Sequence, residues 1–326
     1  GLALAVVIAL QDQVRWQPWF YLYLLGLVPF LVPGADAERP RQEGVLATLR
    51  FLLAAMYFWS GFHKLGPGFA RVHERAFENP LRESWGETAA EVLGSVQPAV
   101  PWIEMLTAVL LLVPIGRTVG AILAVGTHLW VLLLIGPAGT RSNEVVWPWN
   151  LAMAALVLVL FWRAPAFGWR AMFAAGSRFA AVPVVVLAGI MPAFSPEHWD
   201  RYLSFHLYSG QNQRLMLVLD QDAVVALPPR YRAYLVPSKV DDRLLELRLK
   251  DWTYKELRVP FPGEERMNLK IGRDLAALPF PAGANVFFYF DYEFQMQERG
   301  WDRFTPAEMR EMKRFPAPRQ KLREAQ

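Results

Sequence analysis

Residues 45–65 read VLATLRFLLAAMYFWSGFHKL, and this stretch decides the fold class. From Val45 to Phe62 it has the length and apolarity of a membrane-crossing helix. His63 and Lys64 stand at its end. An ammonium beside an imidazole at the mouth of a bilayer-spanning helix is costly unless it is paired, drawn out to the interface or used in chemistry. The plain reading is an interfacial lysine whose head sits in water. The functional reading is a buried base or ion-pair partner.

The rest of the chain extends the membrane reading. Residues 1–195 hold 13 Lys/Arg and 11 Asp/Glu, whereas the shorter segment 196–326 holds 21 and 19. The first part is therefore membrane-like and the second soluble-like. Each part carries a net charge of +2, so the basic balance is not gathered on one domain and no nucleic-acid footprint is visible. Cysteine is absent, which removes disulfides, thiolate metal sites and cysteine nucleophiles. The chain opens at Gly1 inside an apolar stretch without an initiator Met, and upstream residues are expected.

Apolar segments fall at about 1–10, 17–33, 46–63, 99–115, 118–136, 148–162 and 180–194. They predict a membrane α-helical bundle of six to seven segments over 1–195. Trp16, Trp19, Trp102, Trp147, Trp149, Trp162 and Trp169 lie near segment ends, as an interfacial belt requires. Gly116 and Gly120 form a GxxxG that suits a close helix contact. Alternate loops divide the basic residues evenly. The shorter loops hold Arg39, Arg41, Arg117, Arg163, Arg170 and Arg178, which assigns that side to the cytoplasm. The long 64–98 connection and the C-terminal domain then face outward, as in the periplasm of a bacterial inner-membrane protein. Within that connection Leu81, Trp85, Ala89 and Leu93 recur at fourfold spacing. They predict an amphipathic helix, either lying on the membrane or packed as an ordinary surface helix.

After Pro196 the pattern changes. LMLVLD, RLLELRLKDW, KELRVPF and NVFFYFDYEF read as strands. Thr305, Pro306 and Glu308 read as the N-cap, first and third positions of a helix. Residues 196–326 are therefore expected to form a small β-rich extramembrane domain with a charged tail.

On this topology the ionisable groups gather on the outer side. Lys64 and His63 end the third segment. Glu104 lies just inside the fourth, and His128 in the outer half of the fifth. Asn143, Glu144 and Asn150 bracket Trp147-Pro148-Trp149 at the start of the sixth. Two arrangements suit Lys64 and Glu104: a desolvated neutral amine acting as base, or an ion pair that ties two helices. No His pair has the spacing of a helical metal site and no His-Glu-x-x-His occurs, so no metal is expected.

Several of these motifs, in their order along residues 10–225, resemble the HTTM family. This is the membrane domain shared with vitamin K-dependent γ-carboxylase. Asp12-Gln-Val-Arg-Trp16 with Tyr21-Leu-Tyr23 resembles its early loop and helix. LRFLLAAMYFWSGFHKL resembles its Tyr-Phe-x-Ala-Gly-x-x-Lys-Leu helix. Trp102-Ile-Glu104, Gly126-Thr-His128, Asn143 to Met153 and His198 to Ser209 resemble the segments that follow. DoxX-like membrane proteins share the Ser-Gly-x-x-Lys-Leu helix and are the competing resemblance.

The resemblance implies a quinone-linked membrane enzyme with Lys64 as general base. Glu104 or His128 would position a quinol or relay protons, and His63, Trp59, Asn150 and Trp147 would line the quinone site. It further implies lyase chemistry in which quinol and oxygen generate a base strong enough to deprotonate a substrate carbon, which then captures CO2. Two departures stand against carrying the carboxylase activity over. The family's early-loop histidine is replaced by the Pro18-Trp19 stretch, and the outer domain is far smaller than in animal carboxylases. The alternatives are a non-catalytic accessory or structural subunit of a larger membrane redox complex, whose polar cluster ties helices and whose partners are the lipid bilayer and other membrane subunits, or a DoxX-like redox helper.

Overall fold

The structure is a computed structural model. It describes residues 2–11, 16–31, 39–66, 68–164, 167–174, 176–194, 199–210, 213–238, 241–259, 261, 263–292 and 302–315. Asp12 to Arg15, His198 and the tail from residue 316 lie outside the described residues. The chain divides into two compact units, Gly1–Gln211 and Asn212–Gln326, so the helical unit runs past the 195/196 division expected from charge density.

The first unit is helical. Its elements are α1 (Leu2–Gln11), α2 (Pro18–Leu27), α3 (Arg39–His63), α4 (Gly68–His73), α5 (Asn79–Trp85), α6 (Glu87–Val96) and α7 (Val100–Leu112). They continue with α8 (Arg117–Ile135), α9 (Trp147–Phe161), α10 (Trp169–Met172) and α11 (Arg178–Val184). Among the described residues four stretches are long and apolar enough to cross a membrane: Pro40–His63, Glu87–Leu112, Arg117–Ile135 and Glu144–Phe161. This makes the chain a membrane protein by length and composition, with fewer spanning helices than the six to seven segments read from the sequence.

The difference has a geometric cause. At 1.5 Å per residue, the 14 residues of Pro18–Leu31 reach about 21 Å and the 17 residues of Arg178–Phe194 about 26 Å, against a hydrocarbon core of about 30 Å. The second of these is also irregular. Pro183 sits inside α11, and the chain continues as a π-helical stretch (Val185–Ile190) and a 3-10 turn (Met191–Phe194). A proline lacks the N–H that a regular turn needs.

Helix α3 is the axis of the bundle. Of its most apolar window 67% is buried, against 22%, 33% and 33% for the other three. Leu52, Leu53, Met56 and Tyr57 of α3 pack with Ala108 and Leu111 of α7, Ala121 and Ala124 of α8, and Met153 and Val157 of α9. The opposite faces carry exposed Leu106, Val109, Ile122, Leu129, Leu151 and Val159. In water such a surface would aggregate; in lipid it is the expected exterior. The GxxxG makes the close contact that its spacing suggests, since a Cβ on Gly120 would lie 2.8 Å from the Leu111 backbone nitrogen of α7.

The amphipathic segment is two helices rather than one. Gly86, with φ of +90°, separates α5 from α6. Leu81 and Leu93 are buried against Phe77, Leu134 and Ile135, so this segment caps the end of α8, while Trp85 remains 43% exposed.

The second unit is built on an antiparallel sheet in the order β2-β3-β1-β4-β5. Its strands are β1 (Gln213–Leu219), β2 (Leu235–Pro237), β3 (Leu245–Leu247), β4 (Val286–Tyr292) and β5 (Asp302–Phe304). Between and after them lie α12 (Pro229–Arg232), α13 (Leu249–Trp252), α14 (Glu265–Ala276) and α15 (Pro306–Glu311). Central β1 is apolar on both faces. Leu215, Leu217 and Leu219 join Phe288 and Phe290 on one side, and Met216 and Val218 join Tyr289 on the other.

Two of the four expected strand segments differ in the structure. RLLELRLKDW gives only the three residues of β3 before α13 begins, and Thr253–Leu257, which overlaps KELRVPF, is a π-helical turn. Helix α14 was not read from the sequence; its Leu269, Leu275 and Ala276 cover the sheet. The helix start at Thr305 is as read. Thr305 Oγ1 accepts from the Glu308 N–H, and Glu308 Oε2 accepts from the Thr305 N–H at 2.7 Å.

Phe288 is fully buried opposite Leu217 at the centre of this sheet. Phe288→Ala should cost about 3–5 kcal/mol. In the full-length protein it should make residues 212–326 rapidly cleavable by protease while the helical unit stays protected.

Candidate functional site

The site is built on one face of α3. Tyr57, Ser60 and Lys64 follow one another at i, i+3 and i+7, so their side chains share that face. Lys64 is 6% exposed and lies in the turn that ends the helix. Its Nζ donates to Glu104 Oε2 at 2.6 Å, to Ser60 Oγ at 2.7 Å and to the Ser60 carbonyl at 3.2 Å. An ammonium has three hydrogens, and these three acceptors match them. Of the two arrangements that the sequence left open, the structure holds the ion pair.

The pair depends on Gly61. A Cβ there would lie 2.5 Å from the Pro101 carbonyl oxygen and 3.0 Å from the Glu104 Cβ. Only glycine lets α7 approach α3 closely enough for a short Glu side chain to meet the lysine. Both partners are buried, Glu104 at 9% exposure, so their attraction is weakly screened and their desolvation is costly.

A second polar line starts from Tyr57. Its hydroxyl is 2.6 Å from His128 Nε2, and His128 Nδ1 is 2.9 Å from Asn150 Oδ1. Asn150 Nδ2 donates to the Val146 carbonyl, which leaves Oδ1 as the acceptor. His128 therefore carries its proton on Nδ1, and Nε2 accepts from the Tyr57 hydroxyl. The Glu104 charge acts on both Tyr57 and His128, which links the two lines electrostatically.

A third group lies beside Lys64. His63 stacks on His206 with ring centroids 3.7 Å apart, and Trp59 stacks on the His63 ring at 5.6 Å. Trp59 Nε1 also donates to the Gly189 carbonyl. His206 belongs to the segment 199–210, whose Phe205 and Tyr208 adopt positive φ of 60° and 55°. Phe205 is fully buried in the bundle core, which holds this strained loop in place. Burial, then the neighbouring His63 and Arg201, then Lys64, push His206 well below the ordinary imidazole range.

The residues expected at the site are only partly assembled. Lys64 and Glu104 are in direct contact, His128 and Asn150 form the second line, and Trp59 and His63 form the stack. Trp147 is elsewhere: its Nε1 donates to the Ser142 carbonyl and its ring packs on the Phe77–Leu134 cluster. Asn143 donates to the Tyr208 hydroxyl.

Tyr57, Ser60, Thr107 and Trp149 were not singled out from the sequence as site residues. Tyr57 could have been found as the aromatic two turns before Lys64, and Thr107 as the hydroxyl one turn after Glu104. Thr107 is 1% exposed, and its Oγ1 has no hydrogen-bond partner among the described residues. Trp149 Nε1, beside His128, likewise has none. Buried polar atoms left without partners mark places where a ligand oxygen would be held. Among the described residues no three His, Asp or Glu side chains converge as a metal site.

Two outcomes follow. Gly61→Val should force α7 from α3 and cost about 1–3 kcal/mol, read as a lowered unfolding temperature in detergent. The folded-state pKa of His206 lies below its unfolded value, so the unfolded chain binds more protons near pH 6. Stability is thus full above the ordinary imidazole pKa and falls as pH drops below it. His206→Gln should flatten the fall in unfolding temperature between pH 7 and 5; an unchanged slope would assign it to other groups.

Comparison with protein-family models, with curated proteins and with solved structures returned no match, so the likeness to HTTM proteins rests on the quoted motifs.

Proposed function

We propose that the protein is an HTTM-like, quinone-linked integral membrane enzyme in which Lys64 acts as a general base. One observation carries this reading. Besides the Lys64–Glu104 pair, a separate buried line of Tyr57, His128 and Asn150 runs within range of the Glu104 charge. Joining two helices requires only the ion pair. Buried exchangeable protons beside that pair suit proton transfer.

The chemistry begins with the resting pair. Moving one proton from Lys64 Nζ to Glu104 Oε2, across their 2.6 Å contact, leaves a neutral amine and a neutral carboxyl. The amine then takes a proton from a bound hydroxyl and becomes an ammonium again. Thr107 and Trp149 are the groups available to hold the ligand's oxygens. When bound, a quinol supplies the acidic hydroxyl and the electrons for oxygen. The same reading places the protein in a bacterial inner membrane, with residues 212–326 on the periplasmic side, from the distribution of basic residues in short loops.

A second reading has its own support. All three hydrogens of the Lys64 ammonium are engaged, as a structural tie requires. The protein would then be an accessory subunit of a membrane redox complex.

Stability and turnover separate the two. Removing one partner of a buried pair costs about 3–5 kcal/mol, whereas replacing both by apolar residues is often neutral. Lys64→Met should therefore destabilise the purified protein, and Lys64→Met with Glu104→Met should recover most of that loss. The enzyme reading expects quinol-dependent oxygen uptake in the wild type and none in the double variant. Full activity in the stable double variant, or none in the wild type with a panel of quinols, would sink it.

A further inference from the structure

The far end of the bundle holds a second buried charge cluster that proton chemistry at Lys64 does not use. Arg50 lies on α3 fourteen residues before Lys64, or about 21 Å along the helix. It is 6% exposed inside the most buried helix of the unit. Its Nε donates to the Leu160 carbonyl at 2.6 Å, in the last turn of α9. Arg117, also 6% exposed, donates from Nη1 to the Ala164 carbonyl at 2.6 Å and from Nε to the Leu111 carbonyl at 3.4 Å. The two guanidinium groups thus grip carbonyls four residues apart at the same helix end. They are close enough for the Arg117 charge to act on Arg50.

The charge balance at Arg50 is incomplete. A helix C-terminus offers about half a negative charge, and Arg50 shares that of α9 with Arg117. Among the described residues Arg50 makes no ion pair with a carboxylate, and its Nη1 and Nη2 groups have no protein acceptor. A buried cation with a planar donor edge facing no protein acceptor is suited to bidentate binding of a tetrahedral oxyanion. Its level in the bundle is where α7 and α9 end and α8 begins, at one end of three of the four candidate spans.

We propose that Arg50, supported by Arg117, binds a phosphate-bearing anion at the end of the bundle opposite Lys64. The two sources of that chemistry are an anionic phospholipid headgroup and free phosphate. The inference goes beyond the enzyme reading and stands whether or not Lys64 is a base.

The test uses the full chain in zwitterionic detergent. Unfolding temperature is followed while phosphatidylglycerol, phosphatidylcholine or inorganic phosphate is added, and retained lipid is counted by native mass spectrometry. Binding should raise the unfolding temperature of the wild type. In Arg50→Gln the same ligand should bind about tenfold more weakly, as loss of one charge-assisted contact requires. Arg50→Lys, which keeps the charge but loses the fork, should fall between them and controls for misfolding. A response to phosphatidylglycerol alone assigns the site to lipid; a response to inorganic phosphate assigns it to the free anion. Equal responses in wild type and both variants, or none in the wild type to any of the three, would overturn the proposal.

Discussion

The helical unit turns on one contact, the 2.6 Å pair between Lys64 and Glu104. Two opposite charges taken out of water must meet at short range, or the cost of desolvation exceeds their attraction. That condition fixes the distance between α3 and α7. It explains Gly61, since any side chain there would collide with the Pro101 carbonyl and the Glu104 side chain. It also explains Ser60, whose hydroxyl and carbonyl take the two ammonium hydrogens that a single carboxylate oxygen leaves over.

The surrounding architecture keeps this pair dry and in register. With α3 at the axis, its polar face can be lined by α7, α8 and α9 while their outer faces remain apolar. The Tyr57–His128–Asn150 line runs beside the pair, and the His63–His206 stack closes it from the loop at 199–210. At the other end Arg50 and Arg117 hold the frayed carbonyls of α7 and α9. The bundle is thus polar at both ends of its interior and apolar between them. This is the distribution expected when buried charge is placed near the membrane interfaces, where hydration is within reach.

The β-rich unit follows simpler rules. Near-continuous apolar runs in β1 and β4 suit a central antiparallel pair, because a strand buried on both faces needs apolar side chains for each. The outer strands are three residues long, and short edge strands limit unwanted pairing. Helix α14 does carry a legible signal, Met267, Ile271 and Leu275 at fourfold spacing among charged residues, which a search for strand-like runs does not pick out. Its burial comes from a narrow stripe laid on the sheet.

The sequence by itself determined the membrane character of the first part, the strands β1 and β4, the Thr305 cap and the awkward position of Lys64. Each of these depends on local composition or on spacing within one element. It also brought Glu104 and His128 forward as candidates, since a charged or imidazole side chain inside an apolar segment stands out. The tertiary structure decided the rest. It chose the ion pair over the desolvated neutral amine, because that choice depends on how near α7 comes to α3. It recruited Tyr57 and Ser60, which look like ordinary core and helix residues until a partner helix supplies His128 or Glu104. It left Trp147 outside the cluster, and it leaves four spanning helices among the described residues, because the length of a helix depends on where its hydrogen bonds break. Pairwise distances between helices are not written in any single segment, and the chemistry of this site is a matter of those distances.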